Sequence, residues 1–111
     1  MSTDIKIFGD LVFDNIDDLE EAEFYYDEDD ESCEEVNELI EESVKQKALT
    51  LSFNINASLS ADANILIQDW LEDLTDLAIS GYLDTWQESF EENTFIRIHA
   101  GGKEETIHKN L

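Results

Sequence analysis

Carboxylates are the most abundant side chains in this chain that could take part in binding or catalysis, and they are concentrated in one segment. Residues 20–42 contain thirteen Asp and Glu residues and neither Lys nor Arg. Carboxylates at this density can bind a cation, act as general acids and bases, or present negative charge to a basic macromolecule. Their spacing, and the residues around them, favour one of these uses over the others.

The acids of this segment imitate the spacing of a calcium-binding loop. Positions 1, 3, 5, 7, 9 and 12 of such a loop would be Asp27, Asp29, Glu31, Cys33, Glu35 and Glu38. A loop of this kind needs glycine at its sixth position for a sharp turn, and this chain has Ser32 there. We therefore expect neither a specific metal site nor a cofactor.

The sequence contains no recognisable motif for nucleophilic catalysis. His99 and His108 are the only histidines, and no motif joins them to Ser, Cys or Asp in a triad. The glycines of the segment AGGK, residues 100–103, lack the rest of a phosphate-binding loop. A structural or surface role is the better interpretation of His99, and the chain is expected not to be an enzyme.

The overall charge indicates the sign of a partner. The chain has 29 acids and 6 bases, a net charge of −23. Nucleic acids and anionic membranes are bound through Lys and Arg, so neither is expected as a direct partner. A single cysteine, no signal pattern and no apolar run of membrane length favour the cytoplasm. The oligomeric state stays open.

Local patterns in the first half predict the elements that hold the acidic segment. Residues 5–13 predict β structure with a turn or bulge at Gly9–Asp10, and Asn15 caps a short helical turn after it. Residues 24–26 predict a brief strand, followed by an acidic loop, residues 27–31, with freedom to move.

A helix is predicted over residues 33–45. Ser32 and Glu35 have the spacing of a capping box, and apolar residues then recur at helical intervals. Lys45 and Lys47 would lie at its C-terminal end, where positive charge stabilises the helix dipole.

The second half predicts strands and helices in turn. Residues 48–57 alternate as a half-buried strand. Residues 60–90 have helical spacing with a break at Gly81, which predicts two helices. Residues 94–100 predict a strand, and residues 105–110 predict its antiparallel partner.

This order of elements predicts a fold of the α+β class. We expect a single acidic domain over residues 1–111 with two layers. One layer is a mostly antiparallel sheet of three to five strands, and two or three helices pack on one face of it.

Two surfaces are candidates for binding a basic partner. The first combines aromatics with acids, a pairing typical of binding hot spots. Its members are Tyr25, Tyr26, Asp27, Glu28, Asp29, Asp30, Glu31, Glu34, Glu35 and Glu38. The second is an acidic helix face formed by Asp69, Glu72, Asp73 and Asp76. The aromatics have a plainer interpretation as anchors of the loop to the core.

In charge and length alone, and on no motif, the chain resembles the small acidic inhibitors that bacteria and phages direct against nucleic-acid enzymes. The resemblance implies a non-enzymatic protein that blocks a basic nucleic-acid-acting protein. An immunity protein against a nuclease toxin is the first hypothesis, and a phage-type DNA mimic that blocks a restriction or CRISPR complex is the second. A halophilic or cation-binding acidic domain without a macromolecular target is the alternative from another class.

Overall fold

Nine elements follow one another along residues 2–109, the part of the chain that the computed structural model describes. The strands are β1 (Ser2–Val12), β2 (Val44–Lys47), β3 (Thr50–Ser60), β4 (Ser80–Gln87), β5 (Thr94–His99) and β6 (Glu104–His108). The helices are α1 (Ile16–Glu21), α2 (Glu31–Ser43) and α3 (Ala61–Leu77). The α+β class is confirmed.

The strands form one antiparallel sheet in the order β2-β3-β1-β4-β5-β6. Six strands are more than the three to five expected. The predicted partner strand 105–110 is β6, although Asn110 lies outside the described residues. The additional strands are β2 and β4. Strand β4 occupies a segment predicted as helix, and β2 begins within the last two residues of the helix predicted over residues 33–45.

Strand β1 runs through the centre of the sheet without interruption. It pairs with β3 from Ser2 to Val12 and with β4 from Ile5 to Val12, in constant register. The predicted turn or bulge at Gly9–Asp10 is therefore wrong. Gly9 has a φ of 141°, and a Cβ at this position would lie 2.2 Å from the carbonyl oxygen of Tyr82. The glycine is there because the neighbouring backbone passes so close to it.

The core lies between one face of the sheet and the helices. Alternate residues of the central strands, such as Ile5, Ile7 and Ile55, are fully buried against α2 and α3. Val36 and Leu71 contribute from the two helices and are also fully buried. Burial of each such side chain stabilises the fold by roughly 1.5–3 kcal/mol, so this layer accounts for the tolerance of a large net charge.

Helix α2 begins two residues earlier than predicted. Asp30 is its N-cap, with a side-chain oxygen that accepts a hydrogen bond from the Ser32 N–H at 2.9 Å. The capping box is wrong because Glu35 turns away from the helix start. Its carboxylate accepts hydrogen bonds from the N–H and the hydroxyl of Ser60, at 3.0 and 2.7 Å.

The C-terminal end of α2 also differs from expectation. The helix ends at Ser43, and Lys45 and Lys47 belong to β2, where they pair with Ser52 and Thr50 of β3. Pairing with the sheet edge overrides the helix dipole, which is worth at most about 1 kcal/mol per charge at an exposed site.

Two further assignments were wrong. Residues 24–26 form no strand, and residues 80–87, predicted as part of a second helix, form β4. Tyr82 and Trp86 recur every four residues, which satisfies a helical face but equally satisfies alternation along a strand. Gly81 is a strand residue that faces β1, as Gly9 faces β4.

Candidate functional site

The two sides of the sheet differ sharply in charge. We call the side away from the helices the open face. Directly paired residues of an antiparallel sheet point to the same side, so the strand register shows which residues belong to the open face. Its charged residues are the bases Lys6, Lys45, Lys47, Arg97 and Lys109 and the acids Asp4, Asp10, Asp84 and Glu105.

The open face is therefore close to neutral. It holds five of the six bases and four of the 29 acids, a net charge of +1. The helices, loops and sheet edges hold the other 25 acids and one base, a net charge of −24. Composition alone conceals this division, because it depends on strand register.

The exposed surface of α2 presents a row of carboxylates. Glu31, Glu34, Glu38 and Glu41 are all exposed and follow one another at intervals of three and four residues. Side chains at these intervals stand about 5–6 Å apart on one face of a helix. The row therefore provides regularly spaced negative charge.

Three acids of the first predicted surface accept hydrogen bonds that stabilise the fold. Asp27 accepts a hydrogen bond from the Asp29 N–H at 3.0 Å, Asp30 caps α2, and Glu35 joins α2 to Ser60. A substitution at any of them would disturb the backbone as well as the charge. Within residues 2–109, the members whose side chains are exposed and whose carboxylates accept no hydrogen bond are Glu28, Asp29, Glu31, Glu34 and Glu38.

The two tyrosines beside these acids are accessible to a partner. Tyr25 is 82% exposed and Tyr26 is 43% exposed. Partial loss of hydration, together with the carboxylates of Glu34 and Glu28, raises the pKa of Tyr26. The phenol therefore stays neutral at physiological pH. Phe24, not a tyrosine, anchors this loop, with its ring at 79° to Trp70 and the centroids 6.1 Å apart.

The second predicted surface lies on α3. Asp69, Glu72, Asp73 and Asp76 are all exposed. Helix α3 packs beside α2, so both predicted surfaces belong to the same helical layer. Ser60 caps α3: its hydroxyl oxygen accepts a hydrogen bond from the Ala63 N–H at 3.2 Å. Since Ser60 also donates to Glu35, this serine fixes the two helices relative to each other.

A charged cluster on the open face was not anticipated from the sequence. Asp84 is 3% exposed and makes ion pairs with Arg97 and Lys109, both at 2.7 Å. Arg97 also stacks on Tyr82, 3.9 Å from the ring centroid. His99 shares this face and contacts Glu105. The cluster was missed because Asp84 and Arg97 become neighbours only once residues 80–87 are a strand.

This cluster holds β4, β5 and the chain beyond β6 together. Burial alone would raise the pKa of Asp84, but hydrogen bonds from Arg97 and Lys109 outweigh it and hold the pKa below its usual value. Both carboxylate oxygens accept hydrogen bonds or ion pairs, so Asp84 is not a free base. The arrangement is that of a structural ion-pair network.

Asp84→Asn is expected to destabilise the protein by roughly 3–5 kcal/mol, because it leaves two cations beside an uncharged group. Since the folded pKa lies below the unfolded one, the contribution of Asp84 is present above about pH 4 and is lost as pH falls through the folded pKa. Urea unfolding of both proteins at about pH 3 and about pH 7, below and above the ordinary carboxyl pKa of about 4, measures this. A stability gap that did not shrink on acidification would contradict the assignment.

The protein is also expected to gain stability from salt. Repulsion among the 25 acids of the helices, loops and sheet edges opposes folding, and ions screen it over about 10 Å at 0.1 M. Raising NaCl from about 10 to about 500 mM should raise Tm by roughly 4–8 °C, the equivalent of about 1 kcal/mol. Thermal unfolding followed by circular dichroism tests this, and an unchanged Tm would mean that self-repulsion is not significant.

Two further features are absent from the described residues, a cluster of metal ligands and a helix that could span a membrane. Within residues 2–109, no three His, Cys, Asp or Glu side chains are grouped in a way that would hold a metal ion. Over the same residues, no helix combines the length and apolar character needed to cross a bilayer.

Comparison of the chain with models of protein families, with curated proteins and with solved structures found no match.

Proposed function

We propose that this protein is a non-enzymatic, cytoplasmic inhibitor that binds a basic nucleic-acid-acting protein through its helical side. An immunity protein that neutralises a nuclease toxin is the form we favour. The observation that carries the proposal is the division of charge: the open face has a net charge of +1, whereas the helices, loops and sheet edges together have −24.

A one-sided charge favours binding over general solvation. Acids that serve only to keep a protein soluble in high salt have no reason to avoid one face. Here five of the six bases are gathered on the open face, and the exposed surface of α2 has none. Like charges held together cost folding free energy, so their persistence on one side suggests a use for the field.

The row on α2 has the chemistry of a phosphate substitute. Glu31, Glu34 and Glu38 place carboxylates at a spacing that Lys and Arg of a nucleic-acid-binding cleft can engage. The electrostatic field of these acids would also raise the association rate constant toward about 10⁸–10⁹ M⁻¹s⁻¹ at low salt. Tyr25, 82% exposed beside the row, adds a large apolar contact at low entropic cost.

Affinity capture from a lysate of the source organism at low salt tests the proposal. We expect one basic nuclease or other nucleic-acid-binding enzyme to be retained stoichiometrically and released as salt rises. A restriction or CRISPR component in its place would assign the protein to the phage-type blockers. A mixture of unrelated basic proteins, all lost together at modest salt, would overturn the proposal and favour the solvation or cation-binding alternative.

A further inference from the structure

A groove lined by both apolar and acidic side chains lies between α1 and α2, next to the carboxylate row, and Glu41 belongs to both. Its volume is about 450 Å³, within the range that accommodates several side chains of a ligand. Six apolar residues form the floor: Leu19, Phe24, Ile40, Val44, Leu51 and Trp70. Ile16, 50% exposed, stands at its edge.

The floor of the groove is continuous with the core and is rigidly held. Trp70 is 8% exposed, and its indole N–H donates to the Ala22 carbonyl at 2.7 Å. Its polar atom is thus already satisfied, and the surface it gives to the groove is apolar. Phe53 packs against the same ring with centroids 5.8 Å apart. An occupant would meet a preformed apolar surface.

The rim of the groove is acidic. Glu20, Glu23 and Glu41 line it, and residues 7–44 contain neither Lys nor Arg. Gln46 of β2 lines the groove, while its neighbours Lys45 and Lys47 point to the open face. Charge complementarity therefore requires a cationic occupant, and the floor requires that the occupant also be apolar.

We propose that this groove receives a basic amphipathic helix of the partner protein, with its apolar face on the floor and its Lys and Arg toward the rim. Apolar anchors at intervals of three and four residues suit such a groove. An extended segment fits less well, because adding a strand to β2 would place alternate basic side chains beside Lys45 and Lys47. The inference rests on the proposed function in one respect, that the partner is basic.

Two synthetic peptides of identical composition provide the first test. Both contain only Leu and Lys over about 14 residues, four turns of helix. One places Leu along a single helical face, and the other distributes Leu around the helix. Titration calorimetry is done at about 150 mM salt, where exposed charges are screened beyond roughly 8 Å. The amphipathic peptide should bind 1:1, with an affinity at least about tenfold higher than that of the second peptide. Equal affinities would overturn the proposal.

Two exposed isoleucines provide matched variants. Ile16→Lys alters the groove edge, whereas Ile65→Lys makes the same change on the outer surface of α3, at a residue 60% exposed and outside the groove. Both variants change the net charge equally, and neither residue is in the core. We expect Ile16→Lys to weaken binding of the amphipathic peptide about tenfold or more and Ile65→Lys to change it less than about twofold. Equal effects would place the peptide elsewhere and overturn the proposal.

The same variants separate this inference from the proposed function. If a basic protein is captured and Ile16→Lys binds it as tightly as Ile65→Lys does, the groove proposal fails while the inhibitor proposal stands. If no basic protein is captured but the amphipathic peptide binds in the groove, the groove proposal stands and the inhibitor proposal fails.

Discussion

Reversing three charges on α2, Glu31→Lys, Glu34→Lys and Glu38→Lys together, is expected to weaken binding of a basic partner by roughly 10³-fold. Each reversal replaces an attraction with a repulsion at the contact, and like charges opposed at an interface cost several kcal/mol in total. The affinity of the captured partner, measured by calorimetry at two salt concentrations, tests this. The variant should also lose most of the salt dependence of binding.

A control with the same net charge is available in the loop between β4 and β5. Glu88, Glu91 and Glu92 are exposed, and reversing all three to Lys also changes the net charge from −23 to −17. If only the total field matters, the two variants will bind equally weakly, and α2 is not the contact surface. If α2 is the contact surface, the control should lose less than about tenfold, mostly in the association rate.

Stability must be checked in both triple variants. Glu31 and Glu34 lie in the first turn of α2, where a negative charge stabilises the helix dipole by about 0.3–1 kcal/mol. Lys at these positions forfeits that contribution but relieves repulsion within the row. Asp30, also in the first predicted surface, is a poorer choice because its side chain caps the helix.

Much of the fold was predictable where the local signal and the tertiary environment agree. The strand around Phe53 alternates cleanly, and its apolar side is the buried one. Asn15 caps α1 as predicted, accepting a hydrogen bond from the Asp18 N–H at 2.8 Å. The strand pair β5 and β6 also agrees with expectation. Asn15 and the β5–β6 pair interact with near neighbours in sequence, and the alternation of the strand around Phe53 identifies its buried side although its partners are distant.

Prediction failed where long-range contacts decide the structure. Tyr82 and Trp86 suit a helix by spacing, but their segment pairs with β1, more than 70 residues away. Lys45 looked like the end of a helix and is instead paired with Ser52. Sequence spacing contains no information about which strands become neighbours. The division of charge between the two sides was hidden for the same reason.

The candidate site was also predictable only in part: exposure could be inferred from residue type, but long-range contacts could not. The exposure of Glu34, Glu38 and Tyr25 agrees with the sequence interpretation, since these residues carry charge or lie in a polar segment. The structural duty of Glu35 was not visible, because its partner Ser60 is 25 residues away. The groove was not visible either, since its floor combines residues from α1, α2, α3 and two strands.

An effect on stability as large as that of Asp84→Asn is expected from Gly81→Ala. Gly81 has a φ of 94°, and a Cβ there would lie 2.1 Å from the Asp10 carbonyl oxygen and 3.2 Å from the Leu11 Cα. Both contacts are backbone atoms of the central strand, so relief requires that β1 and β4 separate. Backbone strain of about 1–3 kcal/mol and overpacking of about 1–3 kcal/mol predict a loss of roughly 4 kcal/mol. That is a large part of the 5–15 kcal/mol typical of a whole domain.

Gly101→Ala is the matched control. Gly101 has a nearly identical φ of 91°, but a Cβ there would meet no atom within 4 Å. Its loss should be limited to the conformational cost of alanine, about 1–2 kcal/mol. Urea unfolding of both variants separates the two contributions, because the strain is common to both and the close approach belongs to Gly81 alone. Equal losses would mean that β1 and β4 do not approach as closely as the glycines indicate, and a difference of about 2 kcal/mol or more would support the central pairing on which the two-faced charge distribution depends.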